Sequence, residues 1–175
     1  PVLEHVPPTS QTSPSPTPAV TTSDLYDVEL GTVKNADLKQ QEQIKIAIGY
    51  MKQVLASDCF EDRILTGKFT ETNGLTNEQI LNIVHSRVFT INFEFFYGTR
   101  MQNYVYKTMG YDIGDGVVYM NSFYVEDAKT IMSLAMHEAL GHGLGFTDEG
   151  YKYTSFPYKL NEISEACLAV IMGTE

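Results

Sequence analysis

The sequence predicts a single α+β domain behind an unfolded arm, and three patterns carry that prediction. Apolar residues recur at helical spacing over residues 36–57. Residues 89–97 and 117–125 are rich in β-branched and aromatic side chains, as strands are. A further helical stretch begins near Glu126 and stays apolar for several turns. Helices, then strands, then a long apolar helix is the order of an α+β domain.

The 175 residues are enough for one domain with its own core, and 43% hydrophobic against 19% charged is a globular balance. A net charge of −10 weighs against nucleic acid or an anionic membrane surface as partner. No segment approaches the ~20 apolar residues of a membrane span. Six of the seven prolines fall in residues 1–18, mixed with Ser and Thr. Such a stretch buries too little apolar area to fold, so residues 1–23 are expected to be an extended or disordered linker and 24–175 the folded domain. The chain opens at Pro1 without an initiator Met, which fits a removed leader or a trimmed end. A Pro/Ser/Thr-rich arm suits a protein that is secreted, or lipid-anchored through such a leader. The expected location is therefore extracellular or in the cell envelope.

In the first helix, Leu38, Ile44, Ile48, Met51 and Leu55 form the apolar stripe. A second helix opens at Thr76, where T-N-E-Q is a capping box with Gln79 at the third helical position. F-T-I-N-F-E-F-F-Y at 89–97 is a strand. In Y-D-I-G-D-G-V-V-Y-M-N-S-F-Y-V, a Gly-Asp-Gly turn leads into a second strand, Val117 to Val125. Cys59 and Cys167 fit no C-x-x-C metal pattern. They are either two buried thiols or one disulfide, which needs an oxidising compartment.

The last long helix carries H-E-A-L-G-H-G-L-G-F at 137–146. Zinc takes imidazole nitrogens at ~2.0–2.1 Å in a tetrahedral shell. On a straight helix, two histidines four apart lie ~40° from each other, whereas a separation of five leaves them ~140° apart. His142 follows His137 by five, so a regular helix builds no site from this pair. A π-bulge, one extra residue in a turn, brings positions five apart back onto one face. Gly141, directly before His142, eases that distortion. Ile131, Met132, Leu134, Ala135, Met136, Ala139 and Leu140 make the surroundings apolar. Two histidines and a glutamate in six residues there point to metal rather than to a lone core histidine. Glu138 is too short to reach the ion beside His137. Its role is general base, taking the proton of a metal-activated water and returning it to the leaving amine.

These residues resemble the zinc metallopeptidases, in two branches. From His142 onward, His142, Gly145 and Asp148 have the spacing of metzincins, the snapalysin-like small proteases included. That resemblance implies Gly145 ending the helix in a left-handed turn and Asp148 as third ligand. A-V-I-M-G-T is similar to the Met-turn, which would put Met172 under the metal. The gluzincin branch instead takes a glutamate from a later helix. Glu162 in L-N-E-I-S-E-A-C-L-A-V-I-M has a spacing similar to thermolysin-like enzymes, and H-E-A-L-G-H is similar to the H-E-x-x-G-H of dipeptidyl peptidase III. Both imply a small zincin-like domain. Its twisted mixed sheet would carry an edge strand beside the active-site helix, here Val117–Val125, on which an extended peptide pairs.

The function expected is that of a zinc-dependent peptidase acting on a peptide or protein substrate. Its cofactor is Zn2+, held by His137, His142 and Asp148, with Glu162 as the alternative third ligand. Glu138 is the catalytic base, and one of Tyr151, Tyr153 or Tyr158 would donate to the oxyanion. The main alternative is a catalytically inactive zincin-like surface binding module. A purely structural zinc ranks last, because such sites are closed and Cys-rich. His85 and His5 are expected to have no catalytic part.

Overall fold

A computed structural model describes residues 27–106, 108–111, 115–148 and 153–174. The expected linker with His5, and also Tyr151, lie outside the described residues.

Capping decides where the helices start. Asp37 accepts from the Gln40 N–H at 2.7 Å while its own N–H donates to Gln40 Oε1 at 2.9 Å, so α1 spans Leu38–Leu55. Its buried face is Ile44, Ala47, Ile48, Met51, Val54 and Leu55; Leu38, expected in that stripe, is 85% exposed. Periodicity predicts one helix over 36–57 and none between it and Thr76. Instead Ser57 caps a second helix, α2 (Asp58–Thr66), accepting from Phe60 N–H and donating to the Val54 carbonyl. The Thr76–Gln79 capping box forms as expected and starts α3 (Asn77–His85).

Among the described residues, four strands make one mixed sheet in the order β1-β2-β4-β3. These are β1 (Asp27–Lys34), β2 (Val88–Phe96), β3 (Gly110–Tyr111) and β4 (Val117–Asn121). β1 runs parallel to β2, β2 parallel to β4, and β3 antiparallel to β4. Along β2, Ile91, Phe93 and Phe95 are buried. The alternate residues Asn92, Glu94 and Phe96 face the other way, half-exposed, towards the side on which Tyr111 and Tyr119 stack.

The expected edge strand needs correction. β4 is interior, paired with β2 from Val117 to Asn121 and with β3 at Tyr119 and Met120. The edges are β1 and β3. Two residues are too few to show a strand period, which is why β3 left no trace in the pattern. β4 also stops at Asn121 rather than Val125. The Asn121 side chain is fully buried, accepting from the Gly98 N–H and donating to Asn103 Oδ1 and the Thr108 carbonyl. The N–H groups of Tyr124 and Val125 then fold back onto the Asn121 carbonyl.

Two further helices, α4 (Ala128–Ala135) and α5 (Phe156–Met172), pack with α1 against the Phe93/Phe95 face. Asp127 caps α4 by accepting from Thr130 N–H and Oγ1. The two cysteines form a disulfide with a Cα–Cα distance of 5.6 Å, which joins α2 to α5 across 108 residues of sequence. Replacing Cys167 by Ser should lower unfolding free energy in a denaturant titration by roughly 2–5 kcal/mol. An unchanged midpoint would show that the bond constrains little.

Candidate metal centre

α4 does not end at Ala135. It widens into a π-helical segment, Met136–Gly141, and then tightens into a 3₁₀ turn, His142–Leu144. The His142 N–H reaches both the Glu138 and the His137 carbonyls. The second of these is the five-residue bond of a π turn. The extra residue is thus absorbed where the spacing required it, and the His137 and His142 rings come edge to face at 5.0 Å.

Gly141 has a further role that the sequence did not show. A Cβ there would stand 2.8 Å from Cβ of Pro157. The absent side chain lets the first turn of α5 close onto the widened segment. That turn is itself held by a bridge between Thr70 and Ser155, with Thr70 N–H donating to the Thr154 carbonyl and Phe156 N–H to the Thr70 carbonyl.

Gly145 takes a left-handed conformation, φ +85°. Its N–H donates to the His142 carbonyl at 2.8 Å and Phe146 N–H to the Gly141 carbonyl at 3.2 Å. Phe146 then inserts into the core against Phe156. The reversal delivers Asp148. Its Oδ2 lies 3.4 Å from His137 Nε2 and its Oδ1 3.8 Å from His142 Nε2. Glu138 Oε2 is 3.9 Å from the same His142 nitrogen.

Bonds of ~2.0–2.1 Å to a tetrahedral ion give ligand-to-ligand edges of ~3.3 Å, close to the 3.4 Å between Asp148 and His137. Among the described residues, the side chains whose donor atoms all lie within 4.8 Å of one another are His137, Glu138 and His142. His142 Nδ1 lies 3.0 Å from the Phe146 carbonyl. A carbonyl only accepts, so that nitrogen carries the proton and Nε2 offers its lone pair to the cluster. His137 and Glu138 are buried, whereas His142 and Asp148 keep about a quarter of their side chains exposed. The cluster therefore opens on one side.

Burial pushes the His137 imidazole down to about 4, helped by the nearby His142 and only partly opposed by Asp148 and the Pro157 backbone. It is neutral at ordinary pH, as a ligand must be. Among the described residues its buried Nδ1 meets no strict hydrogen-bond geometry, and the Pro157 backbone is the polar group that the ring senses.

The other expected residues separate clearly. Glu162 stands outside the cluster, 60% exposed on α5 and bound to Lys159 Nζ at 2.6 Å. Met172 occupies the last turn of α5 and is 54% exposed, so no Met-turn lies under the histidines. The A-V-I-M stretch continues a helix that stops only at Gly173, φ +64°. The Tyr158 ring packs edge-on to His137 at 4.8 Å, and Tyr153 packs on Tyr158 while remaining largely exposed. His85 ends α3 and does not join the cluster. The Phe146 carbonyl and Pro157 were missed, since a backbone acceptor and a buttress carry no motif.

No protein-family model matches this chain, and no curated protein and no solved structure matches it.

Gly141→Ala should cost about 1–3 kcal/mol by driving α5 off the widened segment, read by thermal or denaturant melts. The His137 shift also has a sign. The unfolded chain binds this proton near pH 6.5 and the folded chain only near 4. Metal-free protein should therefore hold this contribution to stability above pH 6.5 and lose it as pH falls towards 4. His137→Gln should flatten that part of the stability profile.

Proposed function

We propose that this chain is a zinc-dependent peptidase, with His137, His142 and Asp148 as the metal ligands and Glu138 as the general base. The observation that carries the reading is the Asp148 carboxylate lying 3.4 and 3.8 Å from two Nε2 atoms that a π turn has brought onto one face. The cluster's open side leaves a position for water and substrate, which distinguishes it from a closed structural site.

Zinc held there supplies Lewis-acid polarisation of the scissile carbonyl and lowers the pKa of a water to near 7. The rest is the work of the chain's own residues. Glu138, buried beside His142, takes the proton as that water oxygen adds to the carbonyl carbon, and hands it to the amine nitrogen as the C–N bond breaks. The Phe146 carbonyl keeps His142 in the tautomer that ligates. Among the described tyrosines, Tyr158, whose ring packs on His137, is the candidate to donate to the oxyanion. Among the described residues no further strand lies beside the edge strand β3, where an extended peptide would pair. The disulfide supports an exported protein, since such bonds persist in oxidising compartments.

Protein purified with zinc present should carry one zinc per chain. His142→Ala and Asp148→Ala should lose it. Glu138→Gln should keep the zinc but hydrolyse a mixed peptide library ~10²–10⁴-fold more slowly. A zinc ratio near zero rejects the metal site. Full zinc occupancy with no hydrolysis in the unmodified chain points to the inactive binding module instead.

A further inference from the structure

Between the end of α2 and the first turns of α5 lies a cavity of about 460 Å³, within the ~300–1,000 Å³ of ligand pockets. Its wall carries Arg63, Lys68 and Lys159, a concentration of positive charge in a chain of net charge −10. Five of the lysines elsewhere are paired off. Lys34, Lys39, Lys45, Lys52 and Lys129 each sit in an ion pair. Arg63 and Lys68 have no carboxylate within ion-pair reach among the described residues. Lys159 holds Glu162 at 2.6 Å, using one of its three N–H donors.

Other natural competitors for these cations are the carbonyls around the end of α2, and three of them are already engaged. Asn77 Nδ2 donates to the Leu65 and Gly67 carbonyls, and the Gly67 N–H to that of Ile64. Unpaired guanidinium and ammonium groups around a concave space select an anion. Phe69 and Ile163 give the same cavity an apolar floor. The Thr154 hydroxyl adds a polar group at its rim, within hydrogen-bond distance of Thr70.

We propose that this cavity is a binding site for an oxyanion group, carboxylate or phosphate, carried on a short apolar stem. The oxyanion sits between Arg63 and Lys68, with Lys159 as a third donor, and the stem lies on Phe69 and Ile163. Glu162, exposed and held only through Lys159, swings aside as the ligand enters. The site stands apart from the metal centre and does not rest on the peptidase reading.

The test is an NMR titration of the full chain, without added metal, using isovalerate and, separately, inorganic phosphate. Saturable shifts confined to amides of residues 63–69 and 154–163 are expected. Tighter isovalerate binding assigns a carboxylate ligand; tighter phosphate binding assigns a phosphoryl group. Arg63→Gln with Lys68→Gln should weaken either by about tenfold or more, the loss of charge-assisted hydrogen bonds, while leaving the remaining spectrum in place. No saturation by either anion at roughly tens of millimolar, where even ~1 mM affinities would show, overturns the proposal. So does equal affinity in the double variant.

Discussion

One backbone hydrogen bond, from the His142 N–H to the His137 carbonyl, governs the geometry of the whole candidate site. It marks the point where a helix with one residue too many stays continuous instead of breaking. A wider turn is costly in isolation and survives where packing holds it on all sides. Here the packing is supplied by Pro157 against the bare Cα of Gly141, and by Phe146 and Phe156 beneath the reversal. Those contacts need α5 to begin where it does. The Thr70–Ser155 bridge fixes its start, and the disulfide ties its far half to α2. A small cluster of four polar side chains is thus positioned by most of the helical layer.

What the sequence made legible follows from which signals are local. The capping box at Thr76 and the alternation through Ile91, Phe93 and Phe95 are each written within a few residues, and both elements formed where expected. β1 is an edge strand in which Val28 is the one buried residue and Gly31 sits at a register shift, so it has no period to read. α2 was hidden because Ser57, read as the tail of α1, is the cap of the next helix.

The site divides in the same way. Helical geometry required a bulge between His137 and His142, and Gly145 announced a reversal; both are present. The placement of Asp148 and Glu162 was beyond spacing arguments, because each sits at a plausible distance along the chain. Asp148 lies beside the two histidines, whereas Glu162 is exposed on α5 and pairs with Lys159. Met172 misled because A-V-I-M-G-T reads equally as a turn or as a helix end with a left-handed glycine.

The widened turn also acts as a phase shifter, with a consequence for how this site can change over generations. Upstream, Ile131, Met132 and Ala135 are fully buried; downstream, His142 and Gly145 set the reversal. The inserted residue is what lets both halves face correctly at once. Deleting one residue to reach the common four-residue spacing would turn the upstream face by ~100° relative to the downstream one, taking those three side chains out of the core. No point substitution changes that phase. The five-residue spacing is therefore locked in by the core of α4, and a lineage that carries it can lose the His/Glu/Asp cluster by single substitutions but cannot trade it for the shorter spacing.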